Sequence, residues 1–504
     1  MTALQMLVAV QMALGLFDIL YHHELTERLC WRPTAARELG LHAARNALYA
    51  LTFLTLAWVE WQGPLAWGFA LLLVAETILT LADFLEEDRS RLLPPSERVT
   101  HALLALNFGA IVALLAPELL RWSAAPLGVA LVDRGLWSWA LTAATVGIAL
   151  WSLRERRRRT WCLGRHASAR GLSQPFLAEP RRLLVTGGTG FIGRRLVEAL
   201  VAGGHQVTVL TRDPRKAAAL ARPVEFVATM AELPRHRHFD GVVHLAGEPV
   251  AQPWGRLARR RMVESRVELL RQVAEWCAAA ASRPAVLVTA SAIGVYGDGG
   301  ETALTERSPA GAGFAAELCQ VAEQAAATAA DRLGSRLVIL RFGLVLAADG
   351  GFLGRLLLPF ELGLRLRFGS GRQWLSWLHR DDAVRLICWA LGRLEASGVY
   401  NAVAPMPVMQ AAFAKSLSAA LVRLALPVAV PARLIRLGFG QMGRELFLAS
   451  QKVLPQRAAE QGFRFRFPFL EAALAEIVGG RVRGRARLLN EGLVLRDRRQ
   501  KRPG

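Results

Sequence analysis

Residues 185–193 read Val185-Thr186-Gly187-Gly188-Thr189-Gly190-Phe191-Ile192-Gly193, and this stretch decides the fold. Ahead of it stands a short apolar run, Leu183-Leu184-Val185, and behind it Leu196, Val197 and Leu200 recur at the spacing of one helix face. Strand, glycine turn and helix therefore follow one another. Gly187 permits the tight turn, Gly190 lets the backbone approach a pyrophosphate, and Gly193 lets the helix pack on the strand. An anionic dinucleotide then sits on the helix N-terminus, where amides and the helix dipole favour negative charge. A second apolar run, Gln206 to Leu210, begins at the distance a strand–helix–strand unit requires.

Further short apolar runs at 224–227, 241–245, 285–291 and 337–341 predict four more strands, separated by helical patterns. Such alternation predicts an α/β, doubly wound parallel sheet whose ligand lies outside the carboxyl ends of the strands. Leu245, Ala246 and Gly247 end the fourth strand there, and Ser291 ends the fifth. After the second strand, Thr211 stands where an acid would hold a ribose 2′-hydroxyl, with Arg212 and Asp213 next. NADP(H) is therefore the preferred cofactor, and NAD(H) stays open. The expected cofactor contacts are Thr186, Gly187, Gly190, Phe191, Ile192, Gly193, Thr211, Arg212, Leu245, Ala246 and Gly247.

The chain has 504 residues, 53% hydrophobic content and a mean hydropathy of +0.27, too long for one domain and too apolar to lie wholly in water. Its formal charge is +21, yet lysine occurs only at Lys216, Lys415, Lys452 and Lys501, and no basic motif is interleaved with aromatic residues. Nucleic acid is not an expected partner. Much of the charge lies at Arg154 to Arg159 and in the tail from Arg481, which suits an anionic membrane surface. Five scattered cysteines without a Cys-x-x-Cys pair indicate neither zinc nor a disulfide framework.

Apolar runs at about 3–20, 46–62, 65–83, 102–120 and 135–153 approach the length needed to cross hydrocarbon, so residues 1–153 read as an all-α membrane domain of five spans. Arginines gather after the first, third and fifth runs, which predicts an outside N-terminus and a cytoplasmic nucleotide domain, as in a bacterial inner membrane. Trp58, Trp61, Trp67, Trp122, Trp137 and Trp139 read as an interfacial belt on the outer side. The topology also gathers acids and histidines on the inner face: Glu24, Glu38 with His42, and Glu97 with His101. Each Glu-x-x-x-His pair places carboxylate and imidazole one helical turn apart, and such a cluster can ligate iron or manganese. The blander reading, which loop placement favours, is solvated residues pairing with nearby arginines. Glu76 lies inside the third span, where an acid is a functional candidate by default. Residues 154–180 read as a basic juxtamembrane linker and 481–504 as a basic, disordered tail.

Beyond the glycine turn, Leu245-Ala246-Gly247-Glu248-Pro249, Ser265-Arg266-Val267, Gly350-Gly351, residues 369–379 (Gly-Ser-Gly-Arg-Gln-Trp-Leu-Ser-Trp-Leu-His), Asp381-Asp382, residues 400–405 (Tyr-Asn-Ala-Val-Ala-Pro) and Val453-Leu454-Pro455 accumulate. With these motifs residues 182–480 resemble the extended short-chain dehydrogenase/reductases, in the "epimerase family" branch. The resemblance implies a Rossmann-like domain at 181–403 and a small helical C-terminal module at 404–480. It also implies oxidoreductase or epimerase-like activity on a small or lipid-like substrate.

The catalytic Tyr-x-x-x-Lys pair of that superfamily is missing. The four tyrosines, Tyr21, Tyr49, Tyr296 and Tyr400, are followed four residues later by Leu25, Phe53, Gly300 and Ala404. Matching the usual helix through Glu323 puts Ala315 and Cys319 at the two positions. Ser291 and Tyr296, near the expected nicotinamide, and His379, with Asp382, are the replacement candidates, although His379 can equally cap a helix. A different class of function stays open alongside: a nicotinamide-nucleotide sensor or scaffold that binds without turnover.

Overall fold

The computed structural model describes residues 2–32, 35–90, 93–163, 170–212, 220, 223–280, 283–421 and 425–479. The expected tail at 481–504 and Asp213 lie outside these. Two compact units divide the chain, Met1–Ala167 and Ser168–Gly504.

The first unit is a helical bundle. Helix α1 (Ala3–Phe17) is started by a capping box, Thr2 Oγ1 accepting from the Gln5 amide at 3.2 Å, and widens into π-type turns over Asp18–Thr26. Then come α2 (Ala36–Trp58), strand β1 (Val59–Gln62), α3 (Leu65–Ser90), α4 (Pro95–Ser123), strand β2 (Gly128–Leu131) and α5 (Leu136–Leu163). Among the described residues, Ala3–Thr26, Leu65–Arg89, Pro95–Ser123 and Leu136–Thr160 are long and apolar enough to cross a membrane. The expected span at 46–62 falls on α2, which packs against α3 and α5, begins ten residues earlier with Arg37, Glu38, His42 and Arg45, and leads into β1, which pairs antiparallel with β2. Trp58 and Trp139 meet edge to face beside this hairpin, at 5.3 Å between centroids, and Trp61, Phe69 and Trp122 pack together there. Leu71, Ile78, Leu106 and Leu150 point outward, while Asp18, His22, His23, Glu76, Asp83 and Glu87 are buried.

Residues 154–163, expected to be linker, instead prolong α5: Arg154 reaches back to Glu24 at 2.7 Å, and Arg158 stacks over Trp31 at 3.7 Å. Residues 170–177 belong to the second unit, where Leu172 and Leu177 enter the core and Ser173 Oγ donates to the Ala199 carbonyl at 2.8 Å.

In the second unit, β3 (Arg182–Thr186), α6 (Phe191–Ala202), β4 (Gln206–Leu210), β5 (Glu225–Val227), β6 (Gly241–His244), α7 (Arg256–Ala278), β7 (Val286–Ala292), α8 (Phe314–Leu333), β8 (Arg336–Phe342), α9 (Arg380–Gly392) and β9 (Gly398–Ala402) form the main body. Seven parallel strands run in the order β9-β8-β7-β6-β3-β4-β5. Period-two alternation splits the strands' apolar runs between two cores. Leu183, Val185, Val243 and Val288 face the core under α6 and α9, whereas Leu184, Val242 and Leu287 face Leu270, Trp276 and Ala330 on α7 and α8. Strand order reverses between β3 and β6, which opens the ligand crevice at their carboxyl ends.

The C-terminal part is helical at Gln410–Leu421, Ala432–Gly443 and Leu470–Val478 but also supplies Leu426–Val430, a strand parallel to Leu364–Phe368. That strand was not expected in a helical module.

Candidate functional site

The glycine turn joins β3 to α6 at the reversal point. Gly187 has φ +70°, and a Cβ there would lie 2.7 Å from the Ala246 amide and 2.8 Å from the Leu245 carbonyl oxygen, so the turn rests directly on the end of β6. A Cβ on Gly193 would collide with the Gly187 carbonyl, which is how closely the helix lies to the turn. Gly190 is the N-cap, extended at φ −80°, ψ −179°, and no side chain caps the helix. An uncapped N-terminus facing a crevice can cradle a phosphate.

Around this cradle, Thr186 is buried and its hydroxyl lies 2.8 Å from His244 Nδ1 and 3.3 Å from the Ala246 amide, which it accepts from. His244, which sequence reading passed over, is buried, and burial holds its imidazole down at about 4, mostly neutral above that pH. It therefore serves Thr186 as a neutral partner. Phe191 and Ile192 open α6; the Phe191 ring fills the space over Gly350 and Gly351, with Arg380 5.2 Å from its centroid. Thr211 is buried beyond β4, its amide bonded to the Val227 carbonyl at 3.0 Å, and Arg212 is exposed. Gly247 packs against the Arg266 guanidinium, which donates to the Glu248 carbonyl at 3.2 Å.

Ser291, at the carboxyl end of β7, donates to Glu323 Oε1 at 2.6 Å. Glu323, on α8, is held by Arg341 through both oxygens, at 2.8 and 2.7 Å. Arg341, on β8, also donates to the Tyr296 hydroxyl at 2.9 Å, and Tyr296 donates onward to Asn401 Oδ1 at 2.7 Å. The structure thus brings Ser291 and Tyr296 into one network, through Glu323 and Arg341, neither of which was singled out chemically. Their types were visible, but the pairing needs α8 to lie across β7 and β8. Tyr296 is buried, and burial pushes its phenol up while the Arg341 contact works against that. With its hydroxyl engaged on both sides, Tyr296 anchors the network better than it transfers a proton.

His379 does not join these residues. Its Nδ1 accepts from the Asp381 amide at 3.1 Å as the N-cap of α9, its Nε2 lies 2.9 Å from Glu476, and its ring packs on Phe467. Its observed work is capping, and Asp382 is likewise committed, accepting from the Arg466 and Phe467 amides at 2.8 and 2.9 Å. Cys319 is buried on α8, where its thiol is pushed up by burial and bonds the Ala292 carbonyl. Trp377 is core, and Trp374 bonds Glu301 at 2.7 Å.

In the helical unit, Glu38, His42, Glu97 and His101 are all buried on helices rather than solvated in loops. Glu24 stands apart from them as a bidentate partner of Arg154, at 2.7 and 3.0 Å.

Comparison with known proteins matches residues 183–403 to the NAD dependent epimerase/dehydratase family and residues 430–477 to a domain of unknown function, DUF1731. The chloroplastic epimerase family protein SDR39U1 homolog of Arabidopsis thaliana is 37% identical over 302 residues, 58% of this chain and 86% of that protein. Human epimerase family protein SDR39U1 is 36% identical over 301 residues, 59% of this chain and 99% of its own length. Epimerase family protein YfhF of Bacillus subtilis is 32% identical over 306 residues, with 59% and 98% covered. A crystal structure of human SDR39U1 (isoform 2) with NADPH aligns at 33% identity and a TM-score of 0.53 over 59% of this chain and 99% of that one. By its sheet, its glycine turn and these relatives, the chain belongs to the NAD dependent epimerase/dehydratase family, in the epimerase-family branch that carries the DUF1731 module.

Proposed function

We propose that the unit from Ser168 onward binds NADP(H) at the β3–β6 crevice and acts as an oxidoreductase or epimerase-like protein on a small or lipid-like substrate. The observation that carries this reading is the uncapped α6 N-terminus, with Gly187 seated on the end of β6. The human relative crystallised with NADPH supports the cofactor, and exposed Arg212 beyond β4 supports its 2′-phosphate over the free hydroxyl of NAD(H).

The bound nicotinamide would give or take a hydride. Ser291 would orient the reacting oxygen of the substrate and relay a proton between it and Glu323, already at 2.6 Å. The proton would pass onto the carboxylate when the substrate is oxidised and back to the oxygen when it is reduced, while Arg341 fixes the carboxylate. We read the helical unit as a membrane anchor with its N-terminus outside, α2 crossing together with the four apolar helices, so that five passes bring the nucleotide unit to the cytoplasmic face of a bacterial inner membrane. Its outward apolar helices and its basic segments support that placement.

The engaged Tyr296 hydroxyl and the missing Tyr-x-x-x-Lys pair favour a second reading, a nucleotide sensor or scaffold without turnover. The two part on one experiment: NADPH oxidation by the purified chain with membrane extract, for wild type, Ser291→Ala and Glu323→Gln. Consumption lost in both variants, with NADPH binding retained, supports the enzyme. Binding without consumption in any extract supports the sensor.

A further inference from the structure

The helical unit holds an assembly of ionisable side chains that the nucleotide chemistry does not use. Asp18 and His23 come from the π-type turns, Glu97 and His101 from α4, and one ligating atom of each lies within 4.8 Å of the others. Glu38 and His42 of α2 form a second such group with Glu87 of α3. His23 and His42, whose rings stack at 4.5 Å, stand between the groups, and Glu155 of α5 groups with both.

In the first group the distances are those of ligands around an ion rather than of hydrogen bonds. His23 Nε2 lies 3.5 Å from Asp18 Oδ2 and 3.5 Å from Glu97 Oε1, and His101 Nε2 lies 3.4 Å from the same Asp18 oxygen. Two donors bound to one ion at about 2.1 Å, at tetrahedral or octahedral angles, are roughly 3.0–3.4 Å apart. In the second group His42 Nε2 lies 3.3 Å from Glu87 Oε1 and 3.0 Å from Asp83 Oδ1. His23 is 3% exposed, and among the described residues neither of its ring nitrogens has a hydrogen-bond partner; His42 Nδ1 and His101 Nε2 have none either. A buried imidazole left this way costs free energy that a metal ion would recover.

Supporting contacts have the form that outer ligands take. His22 Nδ1 bonds Asp18 Oδ1 at 2.9 Å, fixing that carboxylate, and His101 Nδ1 faces Glu87 Oε2 at 3.3 Å, tying the two groups together. Asp83 has Arg45 at 2.7 Å.

We propose that the bundle binds a pair of iron or manganese ions, one held by Asp18, His23, Glu97 and His101, the other by Glu38, His42 and Glu87. Mixed imidazole and carboxylate donors on facing helices suit these metals, whereas magnesium and calcium prefer oxygen alone. Asp18 also lines a cavity of about 470 Å³ whose walls include Phe53, Phe84 and Phe108, so the first ion is open to an apolar compartment rather than sealed. That position fits a ligand of apolar, membrane-soluble character.

The test is metal content of the full chain, purified in detergent from cells supplied with iron and manganese. Two bound ions are expected, about two per chain. His23→Ala should lose about half of the metal and a His23→Ala/His42→Ala pair nearly all of it. Glu76→Gln, in the same bundle but outside both groups, should keep it. In wild type, chelation should lower the thermal unfolding temperature and added Fe(II) or Mn(II) restore it, a response absent from the double variant. Wild-type protein that unfolds cooperatively but carries neither metal overturns the proposal, as does zinc alone. Equal metal loss in Glu76→Gln overturns it too, because content would then follow general bundle integrity.

Discussion

The two units are built on opposite plans. In the nucleotide unit the strand interiors are apolar, Leu184, Val243 and Leu287 being fully buried, and polar side chains collect at the carboxyl edge of the sheet. In the helical unit Asp18, His23, His42, Asp83 and Glu97 are buried at one end of a bundle whose apolar core includes Phe53, Phe69 and Leu115, and the surface holds leucine and isoleucine. Burial of apolar surface drives the first plan only in water. The second is stable where the surroundings are themselves apolar, so that polar groups gain by turning to one another. On the proposed membrane placement, one chain carries two folding solvents in its sequence.

A matched pair of substitutions tests that contrast most sharply. Leu106→Asp, on an outward position of α4 that is 73% exposed, should abolish recovery of the chain in the membrane fraction, an aspartate at mid-span costing about 2.5–3.5 kcal/mol. Leu257→Asp, 77% exposed on α7, should leave yield, fractionation and nucleotide binding unchanged. Equal tolerance of both would break the comparison.

Next in size is Gly193→Val, which drives a side chain into the Gly187 carbonyl; NADPH affinity measured by nucleotide fluorescence should fall by about a hundredfold, roughly 3 kcal/mol. The polar edge of the sheet should also carry an acid sensitivity. His244 is held at about 4 by burial against an unfolded value near 6.5, so the unfolded chain binds the extra proton between those values. Its contribution is intact above pH 6.5 and is lost as pH falls toward 4, up to about 3 kcal/mol. Denaturant melts of the nucleotide unit across that window should show the slope, and His244→Asn should flatten it. Glu323→Ala leaves Arg341 half-buried without its carboxylate and should cost about 2 kcal/mol of stability, read as a lower unfolding temperature. Arg212→Ala is the mildest, weakening NADPH about tenfold with NADH unaffected; an equal loss for both would show that the arginine does not read the 2′-phosphate.

Much of the nucleotide unit was legible because its signals are local. A glycine turn between an apolar run and a helical face constrains its own neighbours, and residues 183–202 fold as that pattern requires. The Ser291–Glu323–Arg341–Tyr296 network was not legible as a whole, since it joins β7, α8 and β8 through side-chain reach rather than spacing. His379 was legible in both its readings, acid–base chemistry from its type and capping from its place before Asp381-Asp382, and at the start of α9 its Nδ1 is the cap. In the bundle, hydropathy located the outward faces but misplaced the ends. Because Asp18–Thr26 continues α1 and α2 starts at Ala36, residues expected in solvated loops lie on helix interiors.

One carboxylate ties the C-terminal module to the rest. Glu445 accepts from the Phe314 and Ala315 amides at 3.3 and 2.9 Å, taking the place of a cap for α8, and a Cβ on Gly313 would strike it. The DUF1731 segment therefore caps the start of the very helix that carries Glu323 and Cys319. Truncation after residue 429 would remove more than a peripheral module. It would free the helix on which Glu323, the proposed proton carrier, is mounted.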